Sequence, residues 1–286
     1  MPAAGVFRAG STGLITGAAS GIGLALAKFC AAQGMSLVLA DKNIAPLSSF
    51  AAEYPASTIH TVTCDVSLPA SWAELRESTK TVFGSDRGIE LLALNAATCG
   101  SRENPWADSE AFQHTFNTNV FGVVHGIETF LPLVRKAASA GHRPTAIVIT
   151  GSKQGITNPP GNPAYNASKA AVKSIAEQLS FDLQNEPTGV HLLVPGWTFT
   201  GMTGASVSAE KPPGAWLPEQ VIEYLDREMA EGKFYIICPD NEVDKITDKK
   251  RITWAMGDIV NDRQPLSRWR EDTKAEAAKS IEKMTI

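Results

Sequence analysis

The sequence predicts an α/β protein built on a parallel, doubly wound sheet with helices on both faces. Three observations carry that prediction. Short apolar runs alternate with amphipathic ones along most of the chain. The strand-like runs Ile147-Val148-Ile149 and His191-Leu192-Leu193-Val194 are apolar or β-branched without a polar alternation, which suits strands covered on both faces. A glycine-rich turn stands between the first strand pattern and the first helix pattern. The 286 residues are 43% hydrophobic with a formal charge of −4, enough for one soluble domain with a sizeable core.

Seven strands are expected near 12–17, 36–41, 58–65, 89–96, 144–151, 189–195 and 234–238, alternating with helices near 21–33, 43–53, 70–83, 109–137, 165–185 and 218–231. The first strand ends in Leu14-Ile15 and runs into Thr16-Gly17-Ala18-Ala19-Ser20-Gly21-Ile22-Gly23. Ile22, Ala25, Leu26, Phe29 and Cys30 then recur at helical spacing, and Gly34 stands where a helix carboxyl cap belongs. In a strand–turn–helix unit of this kind, glycines let the backbone approach a pyrophosphate and the positive helix end favours the anion. The second strand, Leu37-Val38-Leu39-Ala40, ends in Asp41, and 41 − 21 = 20 residues separate that carboxylate from the middle glycine. An acid there accepts bonds from both ribose hydroxyls of NAD and repels the extra phosphate of NADP. Lys42 beside it is either a solvated lysine or a partner for that phosphate, so NAD is preferred and NADP stays open. In such sheets ligands bind beyond the carboxyl ends of the strands.

The expected helix near 165–185 opens with Tyr165 and Lys169, a Y-x-x-x-K spacing that places a phenol and an ammonium on neighbouring turns of one face. An ammonium held near a phenol favours the phenolate and brings a pKa of about 10 toward neutrality, which makes a usable acid/base.

With the glycine turn, Asp41 and this pair in order, the chain resembles the short-chain dehydrogenase/reductase family over roughly residues 11–240. The family's glycine motif matches Gly17, Ser20, Gly21, Ile22 and Gly23; its adenine-side acid matches Asp65-Val66; its helix asparagine matches Asn119 within Asn117-Thr118-Asn119-Val120. The catalytic serine matches Ser152, 165 − 152 = 13 residues before Tyr165, and the nicotinamide-side P-G-x-x-x-T motif matches Pro195, Gly196 and Thr200, with Thr198 at the position whose amide meets the carboxamide. Two departures stand out. The family's N-N-A-G turn reads Leu94-Asn95-Ala96-Ala97, keeping Asn95 alone of the two asparagines and losing the glycine, and Thr198 replaces the usual branched apolar residue.

The resemblance implies a Rossmann-type NAD(P)-binding fold, one domain over 1–286, that moves a hydride between a nicotinamide and a secondary alcohol or ketone. Tyr165 would exchange the proton, Ser152 would hydrogen-bond the reacting oxygen, Lys169 would support Tyr165 and bind the nicotinamide ribose, and Asn119 would hold a water linking Lys169 to solvent. The segment 200–217, rich in Gly, Pro, Ser and Thr, matches the family's variable substrate lid. Gln154 and Trp197 are the candidate substrate contacts beside Ser152 and Tyr165. Gln154 alternatively braces the loop 155–162, and Trp197 alternatively packs in the core. The tail 240–286 carries Trp254, Met256 and Trp269 and either covers the pocket, extends a dimer contact or does neither; the resemblance to family members with a comparable tail implies a bulky or aromatic substrate. Dimers or tetramers built through the long helices are expected on the same resemblance. Two other functions compete: an NADPH-dependent biosynthetic ketoreductase, supported by Lys42, and a non-catalytic nucleotide-binding protein, which would have little need of Asn119, Ser152, Tyr165 and Lys169 together.

Other classes are disfavoured. Basic residues are scattered, and the run 245–251 is broken by Ile246, Thr247 and Asp248, so no nucleic-acid partner is expected. Cys30, Cys64, Cys99 and Cys238 form no C-x-x-C pair, and His60, His114, His125, His142 and His191 lack ligand spacing, so reduced thiols and no metal are expected. No apolar stretch is long enough to span a membrane and no signal-peptide pattern opens the sequence, which makes the cytoplasm the expected location.

Overall fold

The computed structural model of the chain describes residues 5–84, 87–100, 106, 108–139, 143–204 and 210–286. Strands β1 (Thr12–Thr16), β2 (Ser36–Asp41), β3 (Ile59–Thr63), β4 (Leu91–Leu94), β5 (Thr145–Thr150), β6 (Thr188–Val194) and β7 (Tyr235–Ile237) form one sheet in the order β3-β2-β1-β4-β5-β6-β7. Every neighbouring pair is parallel.

Successive side chains of a strand point to opposite faces, so each strand feeds two cores. Ile15, Leu39, Ala93 and Val148 face helices α1 (Gly21–Ala32) and α8 (Pro218–Ala230). Leu14, Val38, Leu92, Ile147 and Ile149 face the other side, against α3 (Pro69–Phe83), α5 (Gly122–Ser139) and α7 (Pro163–Asp182). Because both faces are covered, the strands are apolar on both, as their sequences anticipate.

Several boundaries differ from the sequence expectation for local reasons. The helix expected at 43–53 is a 3-10 turn at 45–47 followed by the short α2 (Phe50–Glu53). The Asn43 side chain accepts from the Ala45 amide at 3.1 Å, a turn-forming bond that opens the 3-10 turn with Pro46 inside it. The helix expected at 109–137 is α4 (Ser109–Phe116), a π turn at Asn117–Phe121 and α5 in one run. The helix expected at 165 begins at Pro163, where Asn162 Oδ1 accepts from the Tyr165 amide at 3.2 Å; an Asn cap before a proline is a strong start.

The tail, read from sequence without elements, contains α9 (Lys245–Val260) and α10 (Lys274–Lys283). A polar–aromatic knot folds it back on itself. Trp254 Nε1 donates to Ser267 Oγ at 2.8 Å, Ser267 Oγ donates to Asp258 at 2.6 Å, and Arg263 bonds Asp258 at 2.9 Å while its guanidinium lies 3.7 Å from the centre of the Trp254 ring. Among the described residues no helix is long and apolar enough to cross a membrane.

The strand order reverses direction between β1 and β4. At that switch the connecting segments leave to opposite sides, and a crevice opens at the carboxyl ends of the strands.

Candidate active site

A cavity of about 670 Å³ occupies this crevice, running from Asp41 and Asp65 to Ser152 and Tyr165. Its floor depends on two glycines. Gly17 leaves β1 with φ +66°, and a Cβ there would stand 2.9 Å from Ala96 Cα. A Cβ on Gly23 would stand 2.0 Å from the Gly17 carbonyl oxygen. The turn and α1 therefore close together only with glycine at both positions. Ser20 stands at the N-cap of α1 without a side-chain cap bond, and the first turn of α1 carries no acid, so its amide end is open to an anion.

Asp41, at the end of β2, is aimed by two backbone amides. Its carboxylate accepts from Ala19 N at 3.0 Å and from Asn43 N at 3.0 Å. Lys42 turns away from it and pairs with Asp65 at 3.0 Å. Asp65 also accepts from Ser67 N at 3.0 Å and Ser67 Oγ at 2.6 Å. Burial acts to raise the Asp65 pKa, but the Ser67 and Lys42 bonds outweigh it and hold the carboxyl below its usual range.

Asn95, alone where the family has two asparagines, braces three strands. Its backbone amide meets Thr16 Oγ1 at 3.0 Å, its side-chain nitrogen donates to the Thr16 carbonyl at 3.2 Å, and its oxygen accepts from Thr150 Oγ1 at 3.1 Å.

Tyr165 and Lys169 lie on consecutive turns of α7, with the ammonium 5.9 Å from the phenol ring centre. Lys169 is 3% exposed and donates to the Thr150 carbonyl at 2.8 Å. Desolvation by burial brings its pKa down to about 8. Ser152 follows β5, its hydroxyl accepting from the Gln154 amide at 3.2 Å at the start of α6 (Gln154–Thr157). Asn119 sits buried in the π turn, and its side chain is spent on protein groups: it accepts from Thr98 N at 2.8 Å and donates to Thr98 O and Ser168 Oγ, each at 2.9 Å. The Asn119 side chain thus ties the loop at Thr98 to α7.

Gly17, Ser20, Gly21, Ile22, Asp41, Asp65, Val66, Asn95, Ser152, Gln154, Tyr165, Lys169, Pro195, Gly196, Trp197, Thr198 and Thr200 all line the cavity, whereas Gly23 and Asn119 stand behind its wall. Trp197 is 38% exposed, so it is a wall residue and not core packing. The segment 200–217 begins with a turn in which Thr203 Oγ1 accepts from Thr200 N at 2.9 Å, and it returns where Trp216 exchanges backbone bonds of 2.8 Å with Trp197 and Phe199. Its centre, residues 205–209, lies outside the described residues, as does His142.

Cys64, Thr98, His114, Thr118, Lys153 and Met202 also line the cavity and escaped the sequence reading. The Cys64 thiol is pushed up to about 12 by burial and by the neighbouring acids Asp65, Glu74 and Asp41, which makes it unreactive. Cys64, Thr118 and Lys153 flank motif residues and Met202 lies in the segment 200–217, so these could have been found by adjacency; Thr98 and His114 come from long-range packing.

The sequence pattern of the short chain dehydrogenases matches residues 11–211. The chain belongs to this family. It is 28% identical to 1-deoxy-11-beta-hydroxypentalenate dehydrogenase of Streptomyces avermitilis over 85% of this chain and 90% of that protein. An uncharacterized oxidoreductase of Mycobacterium tuberculosis is 33% identical over 68% of this chain and 76% of its own length. A short-chain dehydrogenase/reductase of Burkholderia phymatum, solved with NAD, superposes with a TM-score of 0.77 at 29% identity, covering 90% of this chain and 96% of that one. As a short-chain dehydrogenase, the protein is an oxidoreductase of CH–OH groups that works with a nicotinamide cofactor, and its seven-stranded parallel sheet is the family's Rossmann-type fold.

Proposed function

We propose that the protein is an NAD-preferring dehydrogenase of secondary alcohols and ketones, with Ser152, Tyr165 and Lys169 as its reacting groups. The observation that carries the cofactor preference is the charge arrangement at the end of β2: Asp41 is held toward the glycine turn by Ala19, and Lys42 is committed to Asp65. A carboxylate so placed accepts from ribose hydroxyls and repels a 2′-phosphate. Along the cavity the amide end of α1 takes the pyrophosphate, Lys169 the nicotinamide ribose, and Thr198 and Thr200 the carboxamide end.

Bound there, a nicotinamide would supply the hydride chemistry at the carbinol carbon. The chain's residues handle the oxygen. Tyr165 takes the hydroxyl proton in oxidation and returns it in reduction, Ser152 Oγ holds the oxygen in line, and the Lys169 cation stabilises negative charge on the phenol oxygen. Trp197 and Met202 in the wall suit a bulky or aromatic substrate, and one relative is named for a hydroxy compound. The chain acts as one domain, 1–286, with a lid at 200–217 and an extension at 240–286. It works in the cytoplasm, which its four free cysteines suit. The exposed Phe121, Val124 and Phe181 on the long helices support a homodimer or homotetramer.

Parallel fluorescence titration with NADH and NADPH tests the reading. NADH binding tighter by about tenfold or more is expected, and Asp41→Ala should erase that margin. Tighter NADPH binding would overturn it in favour of a biosynthetic ketoreductase. Tyr165→Phe should bind NADH as the wild type does and lose turnover of aryl secondary alcohols by about 10²–10⁴-fold.

A further inference from the structure

Lys153 follows Ser152 directly, yet the chemistry above makes no use of it. Its side chain is four-fifths buried and its ammonium fully so, where it meets two carboxylates, Asp248 Oδ2 at 2.6 Å and Asp240 Oδ2 at 3.5 Å. Asp248 lies in the first turn of α9 and is itself buried. Asp240 lies between β7 and α9, and the same oxygen that faces Lys153 accepts from the Trp197 amide at 3.0 Å. Its other oxygen accepts from Glu242 N at 3.0 Å and Val243 N at 2.8 Å, which fixes the carboxylate. A Cβ on Gly196 would stand 2.8 Å from Asp240, so the turn at Pro195–Thr198 sits directly on this acid.

Three charges thus join three separate segments: the Ser152 loop, the turn at the nicotinamide end, and the tail. Burial acts to raise the Asp248 carboxyl against the pull of Lys153, and Arg251 and Arg268 bear on the same acid from the tail. Stability alone is a poor account of such a cluster, since buried ion pairs are often no better than well-packed apolar residues of the same volume. Geometry is the better account. Ser152 and the turn at 195–198 both line the cavity just beyond the paired strands β5 and β6, where Gly151 N donates to the Leu193 carbonyl at 2.7 Å, and past that pairing the cluster at Lys153 is the charged tie between them among the described residues.

We propose that Lys153 is a positioning residue, clamped by Asp240 and Asp248, that sets Ser152 against the nicotinamide-side turn, so that the tail completes the active site from behind. The inference rests on the reading of Ser152 and Tyr165 given above. The tail contributes no described wall residue to the cavity; its effect passes through this clamp.

Hydrogen exchange of the cofactor-free protein tests the clamp without any substrate. Lys153→Met and Asp248→Asn should each speed exchange in residues 152–158 and 196–199 by about tenfold while leaving 16–23 unchanged. With the alcohol the wild type turns over, kcat should fall by about ten- to a hundredfold, since displacements near 1 Å at reacting groups have effects of that size. KM for NAD should stay within about twofold of the wild type, Lys153→Arg should recover most of kcat, and the Lys153→Met/Asp248→Asn double variant should be no slower than the worse single one. Unchanged exchange at 152–158, uniform deprotection that includes 16–23, or additive losses in the double variant would overturn the proposal. If Lys153→Met does not fold, the nearly isosteric Asp248→Asn carries the same test. Tyr165→Phe assayed in parallel separates the two ideas: its inactivity beside unaffected Lys153 variants would leave the site reading intact and remove the clamp.

Discussion

An ammonium with 3% of its surface exposed loses most of its hydration, and Lys169 regains only part of that through the Thr150 carbonyl. Its pKa is accordingly near 8 in the folded chain against 10.5 when unfolded, a difference of order 3 kcal/mol for the charged form. The sign follows from proton counts. Between about pH 8 and 10.5 the unfolded chain binds more protons at this site than the folded one, so stability rises with pH across that window, and the full penalty applies below it. Urea midpoints of the wild type and Lys169→Met, compared at pH 7.5, 9 and 10.5, should show the wild type gaining on the variant; a constant difference would mean that Lys169 does not titrate there. Tyr165, Lys169 and Ser152 were legible in the sequence because their spacings are local. The Thr150 carbonyl under Lys169, the Thr98 partners of Asn119 and the acids around Lys153 were not, because each comes from a segment brought near only by the sheet.

Among the elements, the unit β1–turn–α1 is the most tightly specified, since the helix cannot seat against the turn unless position 23 lacks a side chain. Gly23→Ala should therefore cost about 1–3 kcal/mol of stability and weaken NADH and NADPH binding together. Unaltered binding in that variant would show that the turn reshapes without moving its amides. Helix existence was legible from 3.6-residue spacing, but helix ends were decided by single residues: Asn43, bonding the Ala45 amide, set a 3-10 turn where a helix was expected, and Asn162 with Pro163 started another two residues early. The π turn at Asn117–Phe121 has no periodicity of its own and was invisible before the fold was known. The tail helices were missed for a different reason. Trp254 and Asp258 tie α9 to Ser267 in the 3-10 turn at Ser267–Trp269, a tertiary contact that leaves no periodic mark on the sequence.

At the scale of the molecule, the long helices leave Phe121, Val124 and Phe181 in solvent, and Phe181 is 66% exposed. Light scattering should report a dimer or tetramer, and Phe181→Asp should shift it toward monomer with the fold retained; a monomeric wild type would mean that this face stays bare. The sheet order also bears on how the protein comes to be active. Neighbouring strands β1 and β2 pair across 36 − 12 = 24 residues, but β1 and β4 pair across 91 − 13 = 78, more than any other adjacent pair in the sheet. Closing the longest loop costs the most chain entropy before contacts reward it. The crevice lies on that seam, so the ability to bind a dinucleotide arises only when the most widely separated neighbouring strands of the sheet have paired. In a refolding experiment, recovery of cofactor fluorescence would then lag recovery of helix content, and the active site would serve as a clock for the last step of folding.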